Sequence, residues 1–296
     1  MIKHISVLLQ ESVDGLNLEA GDVAIDGTVG QGGHALLIAD KIGKQGTIVA
    51  VDADEDSIVV AKDALKDVPA HVIFVQGNFR NLKEHAERIG ISSADAIIFD
   101  LGWHQGQLES GRGFSFKEDA PLLMTRNEPE AYQVTARDII AGWDEDELAT
   151  LFKQYGGERF SGRIARVIVE TRTHTPITKA AQLAEVVAQA VPAKFRRGRI
   201  HPATKVFQAL RIAVNDELEA LKEGLQEGMR LLAPEGRLAV ISFHSLEDKI
   251  VKDMFRAAED AGEGRRITKK PIVPTRAEAV ANPRARSAKL RIFEKN

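Results

Sequence analysis

Three short apolar segments in the first hundred residues each close on an aspartate: Asp22-Val-Ala-Ile-Asp26, Thr47-Ile-Val-Ala-Val-Asp52 and Ala94-Asp-Ala-Ile-Ile-Phe-Asp100. Apolar, β-branched runs of this length read as strands buried on both faces. His71-Val-Ile-Phe-Val75 reads as one more strand. Between them, His34 to Ile42, Glu55 to Leu65 and Leu82 to Ile89 carry helical apolar spacing. Strands alternating with helices predict an α/β fold, a doubly wound parallel sheet covered on both sides. Ligands of such sheets bind outside the carboxyl ends of the strands. Asp26, Asp52 and Asp100 are therefore expected to face one crevice.

The alternation stops after Asp100. Residues from about 104 to 200 show no strong strand, but helical spacing recurs at Glu145 to Phe152, Arg163 to Thr171 and Ala181 to Val191, with turn-rich pieces around Gly111 and Pro121. This predicts an inserted helical subdomain. One long helix is expected over Val206 to Leu232, closed by Pro234-Glu-Gly236, and a fifth strand over Arg237 to Phe243. Ser245 with Asp248 three residues on resembles a capping box. Ser287 to Phe293 is expected as a final edge strand. The division is a core of 1–104 and 201–296 around an insertion of 105–200.

The chain has no cysteine, which excludes disulfides and thiol chemistry, and no residue spacing requires a metal. No apolar run approaches the ~20 residues of a membrane span. Met1 to Gln10 lack the pattern of a secretory signal, so no membrane partner and a cytoplasmic location are expected. Net charge is −3, yet from Arg265 onward ten Lys/Arg face two Glu, a local net of +8. Lys194, Arg196, Arg197 and Arg199 form a second basic cluster. Local patches of this kind can neutralise phosphates on a mildly acidic protein.

Gly27-Thr-Val-Gly-Gln-Gly-Gly33 places four glycines in seven residues between a strand and a helix. Such a turn lets a ligand approach the backbone and the N–H groups of the following helix. Asp52, about twenty residues on, suits ribose hydroxyls. The pair predicts an adenosine-type cofactor and leaves NAD and S-adenosyl-L-methionine both open.

Other segments narrow the choice: His4-Ile-Ser-Val-Leu-Leu9, Asp26 to His34, Asn78-Phe79, Asp100-Leu-Gly102, Gly111-Arg-Gly-Phe-Ser-Phe116, His201-Pro-Ala-Thr204, Phe207 to Ile212, Ile241 to Asp248 and Asn282 to Ala288. In these, in this order, the chain resembles the RsmH (MraW) family. The resemblance implies a class I S-adenosyl-L-methionine-dependent methyltransferase (a Rossmann-like sheet) that methylates the N4 amine of a cytidine in the decoding region of 16S rRNA, within the small ribosomal subunit. It implies that Gly32, Gly33 and His34 hold the methionine part of the cofactor, Asp52 its ribose and Phe79 its adenine. Asp100 and Gln107 would line the methyl-transfer side. The N4 lone pair of cytosine is delocalised into the ring. A carboxylate at Asp100 accepting the amine N–H can orient it and favour the developing positive charge, which makes Asp100 the candidate catalytic residue.

Arg112 and Phe114, with Phe116, form a basic-aromatic loop suited to a flipped base. Arg211 and Asn215, one helical turn apart, and His244 after the fifth strand are further substrate candidates. The chain departs from the family at two loops. Two serines and a proline give way to Trp103-His-Gln-Gly106, and an acidic and a basic residue give way to Leu123 and Thr125, with Arg126 able to restore the charge. These departures keep two other readings open: a methyltransferase of tRNA or DNA, and a catalytically silent ribosome-assembly factor.

Overall fold

The computed structural model describes residues 6–103, 105–108, 110–116, 119–126, 134–196 and 200–296. His4, His104, Arg197 and Arg199 lie outside them. The chain forms two compact units, Met1–Gly102 with Leu218–Asn296, and Trp103–Glu217. The second boundary thus falls after residue 217, not at 200.

The first unit opens with α1 (Leu9–Gly15) and then alternates: β1 (Val23–Asp26), α2 (Gly33–Ile42), β2 (Thr47–Asp52), α3 (Glu55–Ala64), β3 (His71–Gln76), α4 (Leu82–Arg88) and β4 (Ala94–Asp100). Local chemistry sets the ends. Asp54 caps α3 by accepting the Asp56 N–H at 3.1 Å, and Gly43, at φ 65°, closes α2. Strands β1, β2 and β4 are almost wholly buried, as their Ile, Val and Phe content requires.

The helical unit contains the single turn α5 (Gln105–Leu108), α6 (Ala136–Gly142), α7 (Glu145–Gln154), α8 (Ser161–His174), α9 (Ala180–Ala190), the single turn α10 (Ala193–Arg196) and α11 (Thr204–Val214). Capping boxes at Thr135/Asp138 and Asp144/Glu147 start α6 and α7. Leu148, Phe152, Ile164, Leu183 and Leu210 are fully buried in its own core. Each of these buried side chains contributes roughly 1.5–3 kcal/mol to that core before the entropy of ordering the chain is set against it. Val206, Phe207 and Leu210 belong to it, which is why α11 goes with this unit.

The chain returns through α12 (Glu217–Leu231), β5 (Leu232–Ser242), α13 (Ser245–Asp260), β6 (Gly264–Arg266), α14 (Arg276–Ala281) and β7 (Lys289–Lys295). Four expectations need correction. The long helix over 206–232 is two helices, because Asp216 takes a left-handed φ of 48°. β5 begins at Leu232, and Pro234 to Gly236 lie inside it at a shift in register between Ala94↔Leu232 and Ala96↔Arg237. The cap of α13 is His244 with Glu247, not Ser245 with Asp248. Among the described residues the sheet has seven strands in the order β3-β2-β1-β4-β5-β7-β6, so β7 is an inner strand and β6 is the edge. β1 to β5 run parallel, whereas β7 is antiparallel to both β5 and β6. This is the doubly wound α/β sheet that the sequence implied.

Candidate active site

β2, β1 and β4 are neighbours, so their terminal residues Asp52, Asp26 and Asp100 stand side by side at the carboxyl edge. The glycine-rich turn crosses this edge. Gly30 and Gly32 have φ of 50° and 81°, values that a side chain disfavours. Gly32 is the N-cap residue of α2. Having no side chain, Gly32 itself offers no cap to the first N–H groups of that helix.

Asp52 is tied into the turn. Gly30 N–H donates to its Oδ2 and Asp54 N–H to its Oδ1, both at 2.9 Å. A carboxylate is an acceptor of the kind that suits ribose hydroxyls. Asp100 is held from both sides. Its own N–H donates to Thr28 Oγ1 at 2.6 Å, and its Oδ1 accepts Gly102 N–H at 3.0 Å. Asp26 lies beneath them, fully buried, accepting Thr28 N–H at 3.1 Å. Burial, aggravated by the charges of Asp100 and Asp52, pushes its carboxyl up to about 8. At neutral pH Asp26 therefore adds little negative charge to this edge.

His34 stands in the first turn of α2, buried, with Nε2 3.2 Å from the Val7 carbonyl and Nδ1 3.8 Å from Asp100 Oδ2. Burial lowers its pKa, against the pull of Asp100. A carbonyl can only accept, so Nε2 carries the proton and the bare Nδ1 faces the carboxylate. Two acceptors 3.8 Å apart make a receptor for one N–H donor group. A Cβ at Gly33 would lie 1.9 Å from Ser6 Oγ, so a side chain there would have to displace Ser6.

Phe79 follows β3 and is buried, its ring 5.0 Å from that of Phe99 and against Gly224 of α12, where a Cβ would stand 2.3 Å from Phe79 Cδ2. The core fixes the orientation of the ring. His244 is committed to capping α13: its Nδ1 accepts Glu247 N–H at 3.4 Å, and Glu247 Oε2 accepts the Phe243 and His244 N–H groups.

The other candidates lie in the helical unit. Gln107 is half-buried on α5. Arg112 donates from Nη1 to the Arg126 carbonyl. Phe114 packs 4.7 Å from the Trp103 ring, while Phe116 stacks on His201 at 4.4 Å and meets Phe207 edge-on. Arg211 makes a two-pronged pair with Glu217 at 2.8 and 2.9 Å. Asn215 donates to the Met124 carbonyl at 2.8 Å and accepts Arg126 N–H at 3.1 Å, pinning the 124–126 loop to the end of α11. Sequence reasoning did not foresee that the two departures meet. The Arg126 guanidinium lies 4.6 Å, and that of Arg211 5.1 Å, from the Trp103 ring centroid. A lone Trp where the family places a smaller residue, with a displaced Arg later in the chain, was the available signal.

Compared with known proteins, residues 1–296 match the model of the MraW methylase family. The chain belongs to this family. The ribosomal RNA small subunit methyltransferase H of Brevibacillus brevis is 42% identical over 311 residues, covering 99% of this chain and 98% of that protein. The protein of the same name from Clostridium botulinum is 43% identical over 309 residues, covering 99% of each. Membership of this methylase family makes the sheet a class I methyltransferase sheet. Among the described residues no helix is long and apolar enough to cross a membrane.

Proposed function

We propose that this chain transfers the methyl group of S-adenosyl-L-methionine to the N4 amine of a cytidine in the decoding region of 16S rRNA, in the small ribosomal subunit. The whole-length match to relatives named as small-subunit rRNA methyltransferases supports the substrate class. The observation that carries the chemistry is the fixed Asp100 carboxylate beside the bare Nδ1 of a neutral His34. The donor set also fits the cofactor: a carboxylate at Asp52 for hydroxyls, and a side-chain-free turn at Gly30 and Gly32 for close approach.

When bound, S-adenosyl-L-methionine supplies an electrophilic sulfonium methyl. Asp52 takes the ribose, Gly32, Gly33 and His34 the methionine part, and Phe79 flanks the adenine. Gln107 lines the methyl-transfer side. Asp100 accepts an N–H of the target amine, orients its lone pair and stabilises the positive charge that develops on nitrogen. Because His34 is neutral, it does not offset the charge of Asp100. Among the substrate candidates, Arg112 and Phe114 contact the flipped nucleotide. Arg211, Asn215 and His244 act by fixing the backbone and rings around it.

The test is transfer of labelled methyl to small subunits lacking the modification, by wild type and Asp100→Ala, followed by nucleoside analysis. The expected outcome is label in N4-methylcytidine, with turnover about 10²–10³-fold lower in the variant. Label appearing only in tRNA or DNA would move the substrate. Cofactor binding without label in any nucleic acid would mark a silent assembly factor.

A further inference from the structure

The segment from Arg265 onward carries ten Lys/Arg, and the fold separates them into two groups. Six are engaged internally. Arg265 pairs with Glu294, Arg266 with Glu259, and both Lys289 and Arg291 with Asp248. Lys295 donates to the Arg230 and Leu232 carbonyls, and Arg286 to that of Ala279. The remaining four, Lys269, Lys270, Arg276 and Arg284, are exposed. None has a carboxylate within pairing distance among the described residues, and Lys269 acts on Glu259 only through space.

Register puts these four at one place. β5 ends at Ser242, which pairs with Lys289 at the start of β7. Ile267 and Ile272 bond alongside β7 at Ile292 and Leu290, so the chain climbs from β6 to the carboxyl edge of the sheet. There it turns through α14 and comes back through Arg284 to Lys289. β7 is two strands from β4, on the order of 10 Å, so this strap borders the edge that holds Asp100. It is also fastened to the site. Glu278 of α14 accepts the Leu8 N–H at 2.8 Å, next to Val7, whose carbonyl meets His34.

We infer that the strap 267–288 is a docking surface for the RNA phosphate backbone, with Lys269, Lys270, Arg276 and Arg284 as its phosphate contacts. This rests on the reading of rRNA as substrate. A strand that delivers a base to Asp100 has to continue past one side of the crevice. A row of unpaired cations there, with Glu278 already satisfied by the backbone, offers attraction to phosphate and nothing that reads a base. The spent six explain why raw charge overstates the patch.

The experiment uses the full chain with Lys269, Lys270, Arg276 and Arg284 all changed to Gln, beside a control with Lys44→Gln and Lys66→Gln at the opposite edge. Affinity for a short labelled single-stranded RNA is measured across a salt series. Each phosphate contact contributes ~0.7 to the slope of log K against log salt. Two to four contacts predict a slope shallower by about 1.4–2.8 in the fourfold variant and unchanged in the control. KM for unmodified small subunits should rise while kcat and S-adenosyl-L-methionine binding hold, the last showing that the variant is folded. An unchanged slope overturns the inference. So does an unchanged slope with lost binding to intact subunits, which would assign the strap to a protein surface. If wild type methylates no rRNA yet the slope still falls, the docking surface stands and the substrate reading fails.

Discussion

Replacing Asp26 by Asn should stabilise the protein in a pH-dependent way. The carboxyl is fully buried and ionises near 8 in the fold, against an ordinary value of 3.8. Between those values the native state holds a proton that the unfolded chain has released. Wild-type stability therefore falls as pH rises, by about 1.4 kcal/mol per pH unit from this group. The loss begins above the unfolded value and is complete once pH passes 8. Asn has the same shape and never ionises, and its carbonyl can still accept from Thr28 N–H. At pH 5 the two proteins should agree within about 1 kcal/mol. By pH 8 the variant should lead by about 4 kcal/mol, and the gap should stay constant above that. Urea unfolding followed by far-UV circular dichroism is the assay, because both tryptophans, Trp103 and Trp143, belong to the helical unit and do not report on the sheet. Groups that titrate elsewhere cancel in the difference. Parallel stability curves from pH 5 to 9 would show that Asp26 is ionised throughout, and the charge assigned to this edge would be wrong.

Two further perturbations probe the same unit. The His34 imidazole should titrate below the ordinary ~6.5, because burial lowers its pKa; a proton NMR midpoint at or above that value would overturn the neutral assignment. Asp248→Ala should cost about 3–5 kcal/mol in urea unfolding, since it strands the buried Arg291 guanidinium along with Lys289; a loss under 1 kcal/mol would mean that solvent reaches Arg291.

Much of the carboxyl edge was legible because one physical signal repeats there. A buried strand must be apolar, and a carboxylate closing it marks where the chain leaves the core. What failed to show had no local cause. The apolar spacing of Val214, Leu218 and Leu221 continues across Asp216, yet the helix breaks, because Asn215 spends its side chain on the carbonyl of Met124 and the N–H of Arg126, about ninety residues away. β6 is three residues with no apolar alternation and exists because β7 offers it an edge. Ser245 resembles a cap because serine commonly starts helices. His244 takes the role because Glu247, buried beside it, answers the Phe243 and His244 N–H groups, while Asp248 turns to β7. Basic composition near residue 265 announced a charged surface, but only the pairing showed which cations remain to form one.

The inner position of β7 sets an order of assembly. Residues 289–295 are synthesised after every strand they pair with, yet they fill the place between β5 and β6 and bury Phe293. Until they emerge, β5 is an open edge, β6 has nothing to join, and the strap that borders the reaction edge has no anchor. Open edges invite pairing with other chains. A nascent chain of this protein thus holds an unsealed sheet until β7 emerges, and that one event joins the inner strand, the docking strap and the segment at Leu8.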